Sequence, residues 1–224
     1  MVGMILLSAA AAVMPAAAQI PAGTLRMGVV CKEKGEWIWC AGINKDAPYT
    51  YTAKTKVSRG GKLTMKVRNL TAAKGAIVEV TASGMPESTC LAWAFGGCDE
   101  PDTNKQRGET DCDIPAQYCR DNVFSIEGDA FTVYHGKVMA LRTVQGIIPK
   151  GSEIRLTDAH KQDSPMALYA SGKKTDAPVI SSLCPLKNGE KLYFCIYYQN
   201  RTADYAAYML PKLFESLGNG RVDN

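Results

Sequence analysis

Short runs of apolar and β-branched residues, separated by turn residues, recur along most of the chain. Runs of four to eight such residues bounded by Gly, Pro, Asn or Asp are typical of β-strands. Twelve strands are predicted: Leu25–Val30, Glu36–Cys40, Thr50–Val57, Leu63–Arg68, Ala76–Ala82, Cys90–Phe95, Ala130–His135, Val138–Val144, Glu153–Thr157, Met166–Ala170, Val179–Ser182 and Leu192–Tyr198. This pattern predicts a mainly β fold, either a β-sandwich or a barrel-like arrangement.

One helix is predicted near the C-terminus. Thr202 can cap its start, Gly218 can end it, and one apolar face is formed by Leu210, Leu213, Phe214 and Leu217. Pro211 either kinks this helix or begins a shorter helix at its own first position.

The N-terminus predicts export. Residues 1–18 carry no charge, and an apolar run from Met4 to Met14 leads into three alanines before Gln19. This pattern is typical of a cleaved secretory signal peptide, and no later run is long enough to cross a membrane as a helix. We therefore predict a signal peptide at 1–18, a single β-rich domain at 19–224, and a periplasmic or secreted location.

Cysteine usage supports an oxidising compartment. No pair has the C-x₂₋₄-C spacing of a zinc site, so disulfides are the simpler interpretation, with each cysteine paired to its near neighbour. The eight cysteines are Cys31, Cys40, Cys90, Cys98, Cys112, Cys119, Cys184 and Cys195.

The stretch SLCPLKNGEKLYFC predicts a stapled β-hairpin. A Gly189-Glu190 turn, or a loop over residues 188–191, places Cys184 opposite Cys195, as a disulfide requires. Pro185 cannot donate a ladder hydrogen bond, so its strand is expected at a sheet edge.

Charge divides the chain into segments. Residues 19–82 contain 11 Lys and Arg against 4 Asp and Glu, whereas residues 83–129 contain 3 against 10. The second segment also holds four cysteines, so we predict an acidic, disulfide-rich insertion over 83–129.

The basic segment predicts a cationic hairpin. A three-residue loop over 59–61 aligns Lys54 with Lys66 on one face, together with Lys56 and Arg68. Because opposed like charges destabilise a sheet, this face needs solvent screening, cover by the acidic insertion, or an anionic partner. Lys54, Lys56, Lys66 and Arg68 are the predicted binding residues of this hairpin.

Aromatic residues offer an alternative surface. In GEWIWC, Trp37 and Trp39 lie two residues apart and share one face of a strand. They could bind carbohydrate or pack in the core beside a disulfide.

Motifs for chemistry are few. No nucleophile elbow, P-loop or dinucleotide fingerprint is present, and no cofactor or metal is predicted. His135 could act as a general base, but a packing or surface role is the simpler interpretation for it and for His160. The carboxylates between Asp99 and Asp113 do not match an EF-hand, which leaves calcium binding there open.

Two segments, GEWIWC at 35–40 and LRTVQGIIPKGSEIRLTD at 141–158, resemble the invasion-associated locus B proteins, which are exported bacterial β-proteins. By this resemblance, CPLKNGEKLYFC at 184–195 would occupy the position of that family's later short cysteine pair. The resemblance covers less than a third of the chain, and it implies an exported β-protein.

Taken together, the sequence predicts a non-enzymatic, exported β-protein that acts by surface binding. The predicted partner is an anionic surface, a glycan or an envelope protein, with no indication of nucleic acid. A carbohydrate-binding module and a secreted hydrolase are the alternatives. A cleft that holds two carboxylates, or His135 beside a hydroxyl or carboxylate, would favour the hydrolase.

Overall fold

The computed structural model describes residues 20–43, 50–54, 61–100, 113–137 and 139–218. The predicted signal peptide, Lys56 and residues 101–112 of the predicted acidic insertion, which include Cys112, lie outside this part of the chain. Within it, no helix has both the length and the apolar character needed to span a membrane.

The described residues contain twelve strands and two α-helices. The strands are β1 Thr24–Cys31, β2 Glu36–Ile43, β3 Thr50–Lys54, β4 Lys62–Asn69, β5 Gly75–Ser83, β6 Thr89–Gly96, β7 Val123–Glu127, β8 Ala130–His135, β9 Arg142–Ile147, β10 Glu153–Asp158, β11 Pro178–Pro185 and β12 Lys191–Tyr198. The helices are α1 Pro165–Ala170 and α2 Leu210–Gly218.

These strands form two antiparallel sheets, which confirms the mainly β prediction. Sheet A has the order β10-β11-β6-β1-β2, and sheet B has the order β3-β4-β5-β12-β9-β8-β7. One cluster of buried apolar side chains draws members from both sheets. Within it, Trp93 of sheet A meets Phe194 of sheet B edge to face, with ring centroids 5.6 Å apart. Burial of such large rings is the main source of stability in this core.

One predicted strand is a helix in the structure, and one strand of the structure was not predicted. Residues 166–170 form helix α1 rather than a strand, because Pro165 occupies the first turn and the Ser164 hydroxyl accepts a hydrogen bond from the Ala167 N–H. Strand β7 was not predicted. Its side chains are mostly exposed, so VFSIE lacks the apolar alternation that marks a half-buried strand.

Helix α2 begins late, at Leu210, so Pro211 lies in its first turn. This confirms the shorter of the two predicted helices. Leu210 and Phe214 are its buried side chains, and they pack on the outer face of sheet B with Leu70 and Ile77.

The cysteine prediction needs correction, because no disulfide joins any two of the seven described cysteines. Cys184 lies opposite Leu91 in sheet A, whereas Cys195 lies opposite Ile77 and Ile147 in sheet B. The predicted Cys184–Cys195 hairpin is therefore wrong, since β11 and β12 belong to different sheets.

Two other predicted pairs are also wrong. Cys31 lies opposite Glu36, four residues away from Cys40 along β2. Most of strand β6 separates Cys90 from Cys98, a distance of roughly 20 Å at about 3.3 Å per residue. A disulfide allows a Cα separation of about 7 Å at most.

The described cysteines instead contribute to the apolar interior. Burial raises the pKa of Cys119 to about 12 and also raises the pKa of Cys98 and of Cys195. Thiols of this kind remain protonated at neutral pH and pack as small apolar groups.

The predicted register of the basic hairpin is wrong as well. Lys54 lies opposite Lys62, and Lys66 lies opposite Thr50. Two of the three residues of the predicted loop, Arg59 and Gly60, lie outside the described part of the chain.

Candidate anion-binding cleft

An open cleft of about 830 Å³ lies at one end of sheet B. Its lining residues come from the start of β9, the end of β12 and the segment that leads into β5. Three of them are cationic, namely Lys74, Arg142 and Arg201, and we call this feature the basic cleft.

Close strand pairing places Lys74 at the cleft. The Tyr198 N–H donates a hydrogen bond of 2.9 Å to the Lys74 carbonyl. The next residue is Gly75, and a Cβ atom there would lie only 2.5 Å from the Ile196 carbonyl oxygen. Glycine is therefore required for β5 and β12 to approach each other here.

A side-chain-stabilised turn places Arg201. The side-chain oxygen of Asn200, Oδ1, accepts hydrogen bonds from the backbone N–H groups of Thr202 and Ala203, at 2.9 and 2.6 Å. The Asn200 amide donates to the Ala72 carbonyl at 2.9 Å, which ties this turn to the segment before β5. Asn200 thus organises two walls of the cleft at once.

Arg142 enters the cleft from the turn between β8 and β9. Gly136 has a φ of +94°, which a residue with a Cβ rarely adopts. The Ala140 N–H then donates a 2.7 Å hydrogen bond to the Lys137 carbonyl and closes the turn. Arg142 follows as the first residue of β9.

The charge of the cleft is not neutralised by the described protein. No carboxylate lines the described part of the cleft, and none of its three cations forms an ion pair with a described residue. The Lys74 ammonium lies 5.6 Å from the centre of the Tyr198 ring, a weak cation–π contact. Clustered like charges repel, so an anion bound among them would be stabilised.

A buried polar network lies behind the cleft. His135 stacks on Tyr198 at a centroid distance of 6.2 Å, and its Nδ1 lies 3.3 Å from an Asp99 oxygen. The second Asp99 oxygen accepts a 2.7 Å hydrogen bond from the Asn122 amide. The side-chain oxygen of Asn122 in turn accepts a 3.0 Å hydrogen bond from the Cys98 N–H. This network joins the end of β6 in sheet A to the end of β8 in sheet B.

Burial lowers the pKa of His135 below its usual value near 6.5, although the hydrogen bond to Asp99 acts in the opposite direction. The charge of Arg142, which lies opposite His135 across β8 and β9, lowers this pKa further. His135 is therefore neutral at neutral pH.

His135 meets the geometric criterion that we set for a hydrolase, since it lies beside a carboxylate. Its side chain is only 4 % exposed, however, and its Nε2 is buried without a hydrogen-bond partner in the described structure. A general base must reach the proton that it removes. A buried Nε2 favours a positioning role, in which His135 supports the Tyr198 ring.

The predicted binding residues of the basic hairpin are largely occupied by internal contacts. Lys66 lies 3.7 Å from a carboxylate oxygen of Glu79, and Lys191 lies 3.0 Å from the other oxygen. The Tyr193 hydroxyl also donates to Glu79, at 3.0 Å. Burial alone would raise the pKa of Glu79, but its bonds to Lys191 and Tyr193 and the charge of Lys66 outweigh this effect and lower it.

Arg68 is covered by helix α2. Its guanidinium lies 4.0 Å from the centre of the Phe214 ring and donates a hydrogen bond to the Phe214 carbonyl. The side chain of Lys54 and all of Lys56 lie outside the described part.

The two predicted tryptophans have different environments. The Trp39 ring packs 4.2 Å from the Arg26 guanidinium, and its indole N–H donates to the Gln162 carbonyl at 2.8 Å. Trp37 is 41 % exposed. Trp39 therefore has a structural role, and the two rings do not form one open platform.

Sequence reasoning missed the basic cleft because its cations lie far apart along the chain. Lys74, Arg142 and Arg201 share no motif, and only the pairing of β9 and β5 with β12 brings them together. The available indication was positional, since each cation lies within a few residues of a strand end.

The described residues contain no group of three or more side chains that could hold a metal ion. Three of the six carboxylates considered for calcium, namely Asp102, Glu109 and Asp111, lie outside this part of the chain.

Comparison with known proteins identifies a family whose function is unknown. A family model, "Domain of unknown function (DUF4450)", matches residues 20–217. No curated protein matches the chain.

Proposed function

The chain belongs to the DUF4450 family, a domain of unknown function, and from this premise we propose that it is a binding protein for anionic ligands. The basic cleft is the proposed site. The observation that carries this proposal is the set of three cations, Lys74, Arg142 and Arg201, around one cleft without a described carboxylate partner.

The dimensions of the cleft suit a small anionic group. Its volume of about 830 Å³ lies within the range of ligand-binding clefts, which is about 300–1,000 Å³. Arginine side chains can bind a phosphate or carboxylate group through two parallel hydrogen bonds, and lysine adds a point charge. Thr143 and Gln199 add polar side chains beside the cations.

The arrangement of the two sheets supports a rigid site. We infer that they face each other as a β-sandwich, because Trp93 and Phe194 meet across them. The basic cleft then lies at one end of the core, where loops carry binding residues on a fixed frame. An exported, periplasmic or secreted location remains part of this proposal, as does the similarity to the invasion-associated locus B proteins.

The proposal is tested by calorimetric titration with pyrophosphate, a soluble anion without an apolar part. We expect binding that weakens as salt concentration rises, because the attraction is electrostatic. Arg142→Gln and Arg201→Gln should each lower the affinity by about tenfold, which corresponds to about 1.4 kcal/mol.

Lys62→Gln is the matched control. Lys62 is an exposed cation on β4, distant from the cleft along sheet B, and its loss should leave the affinity unchanged. Equal loss of affinity in the control and in the two cleft variants would contradict a localised site, as would the absence of any binding.

A further inference from the structure

The turn between β8 and β9 exposes apolar side chains beside the basic cleft. Met139 is 97 % exposed and Leu141 is 61 % exposed, which makes them two of the most exposed large apolar residues in the described part of the chain. Leu141 also lines the cleft itself. We call Met139 and Leu141 the apolar tip.

More apolar surface continues from the tip onto the outer face of sheet B. Val123, 62 % exposed, lies opposite Tyr134, 44 % exposed, across β7 and β8. Tyr134 directly precedes His135, the last residue of β8, so this pair borders the turn. Single exposed apolar residues are common in soluble proteins, but a cluster of them indicates a contact surface.

Cations border the same surface. Lys137 lies in the turn and is exposed, and Arg142 follows directly after Leu141. The other two cleft cations, Lys74 and Arg201, complete a basic border on one side of the apolar tip. Apolar side chains combined with adjacent cations match the interface of an anionic bilayer, where acyl chains lie below a layer of phosphate groups.

We propose that the apolar tip inserts into an anionic phospholipid bilayer while the basic cleft binds a lipid headgroup phosphate. This inference rests on the proposed function, because the cleft must bind anions for the headgroup to be held there. It commits the cleft to a ligand in a membrane surface. Insertion is peripheral, since the tip contributes two side chains and no spanning element.

Trp37 is an exposed apolar residue that does not share this setting. Trp37 is 41 % exposed, but it lies near the start of β2, opposite Val30. Val30 also pairs with Cys90 at the start of β6, whereas the network with His135 begins beyond the end of β6. Trp37 is therefore at the opposite end of the molecule from the tip and provides a control position.

The test is co-sedimentation of the purified protein with vesicles. Vesicles of phosphatidylglycerol and phosphatidylcholine should bind the protein, whereas vesicles of phosphatidylcholine alone should not. The double variant Met139→Gln, Leu141→Gln should lower the apparent vesicle affinity by roughly tenfold or more, because the apolar contribution to partitioning is lost.

Trp37→Gln is the control and should bind vesicles as the wild type does. The variants share every other segment, including residues 1–18, so a contribution from the N-terminus cancels. Met139→Gln alone leaves the cleft lining intact, so it should weaken vesicle binding while its affinity for pyrophosphate stays unchanged.

The outcomes separate the two proposals. Unchanged vesicle binding by the double variant, or equal binding to both vesicle types, overturns membrane insertion. Pyrophosphate binding without vesicle binding overturns it too, but leaves anion binding in place. Failure to bind either probe overturns both proposals.

Discussion

Sheet B carries clustered cations in two places, and the two clusters differ in the partners that the surrounding protein supplies. On β4, Lys66 and Arg68 face partners within the protein, since Glu79 lies 3.7 Å from Lys66 and the Phe214 ring lies 4.0 Å from Arg68. Around the basic cleft, Arg142 and Arg201 have no described carboxylate partner. The β4 cations stabilise the fold, whereas the cleft cations remain available to a ligand.

This difference shows why a count of charges along a sequence is a poor guide to binding. Within the segment that has the largest excess of Lys and Arg, Lys66 and Arg68 form internal contacts, because one buried carboxylate and one helix lie against β4. The cleft draws its cations from segments of the chain that are far apart in sequence. What matters is whether the surrounding elements supply a counter-charge.

The largest expected effect comes from removing the counter-charge on the β4 side. Glu79→Gln leaves Lys66 and Lys191 without a partner next to a side chain that is 3 % exposed. We expect the free energy of unfolding to fall by about 2 kcal/mol in chemical denaturation. The freed lysines should also create a second, weak site for pyrophosphate.

Glu153→Gln is the control for this change. Its partner Arg155 and Glu153 itself are both exposed to solvent, which screens their attraction, so the free energy of unfolding should be nearly unchanged. Equal stabilities for the two variants would show that Glu79 does not neutralise the β4 cations. That result would contradict the proposed difference between the β4 cations and the cleft cations.

A smaller effect is expected for Arg68→Ala. The change removes the guanidinium from the Phe214 ring and from the Phe214 carbonyl, which should lower the free energy of unfolding by about 1 kcal/mol. Arg201→Ala should stay within about 0.5 kcal/mol of wild type, because an exposed cation without a described partner adds little to stability. A larger loss of unfolding free energy for Arg201→Ala than for Arg68→Ala would contradict the view that the β4 cations stabilise the fold and the cleft cations do not.

The smallest effect concerns the network behind the cleft. The pKa of His135 is lower in the folded protein than in the unfolded chain, so the unfolded chain binds the proton first as pH falls. The contribution of His135 to stability is complete above about pH 6.5 and declines below that value. Denaturation curves at pH 7.5 and 5.5 should show this decline in wild type.

His135→Gln should have a shallower dependence on pH over the same interval. Asp99 and Arg142 are the charged groups that face this side chain. An identical slope in the variant would show that His135 is not buried in its neutral form.

Much of the fold could be predicted because most strands bury one or both faces. β4, for example, alternates buried and exposed positions along its length, and alternation of this kind is visible in sequence. The failures have local causes. Residues 166–170 look like a strand by composition, but the cap at Ser164 and Pro165 favours a helix, while β7 buries too little to leave a pattern.

The cysteine pairing could not be predicted because it depends on which sheet each strand joins. Ten residues separate Cys184 from Cys195, and this spacing fits a hairpin. However, β11 joins sheet A and β12 joins sheet B. The same long-range pairing assembles the basic cleft. Local spacing carries no information about either result.

The central claim is that cations of the basic cleft, and not those of β4, bind anions. The most direct test is to map the backbone amide shifts in two-dimensional ¹H–¹⁵N NMR spectra during a titration with inorganic phosphate. The account predicts saturable shifts at Thr143, Gln199 and Arg201, with those of Lys62 and Lys66 unchanged. Shifts centred on Lys62 and Lys66, with the cleft amides unmoved, would contradict it.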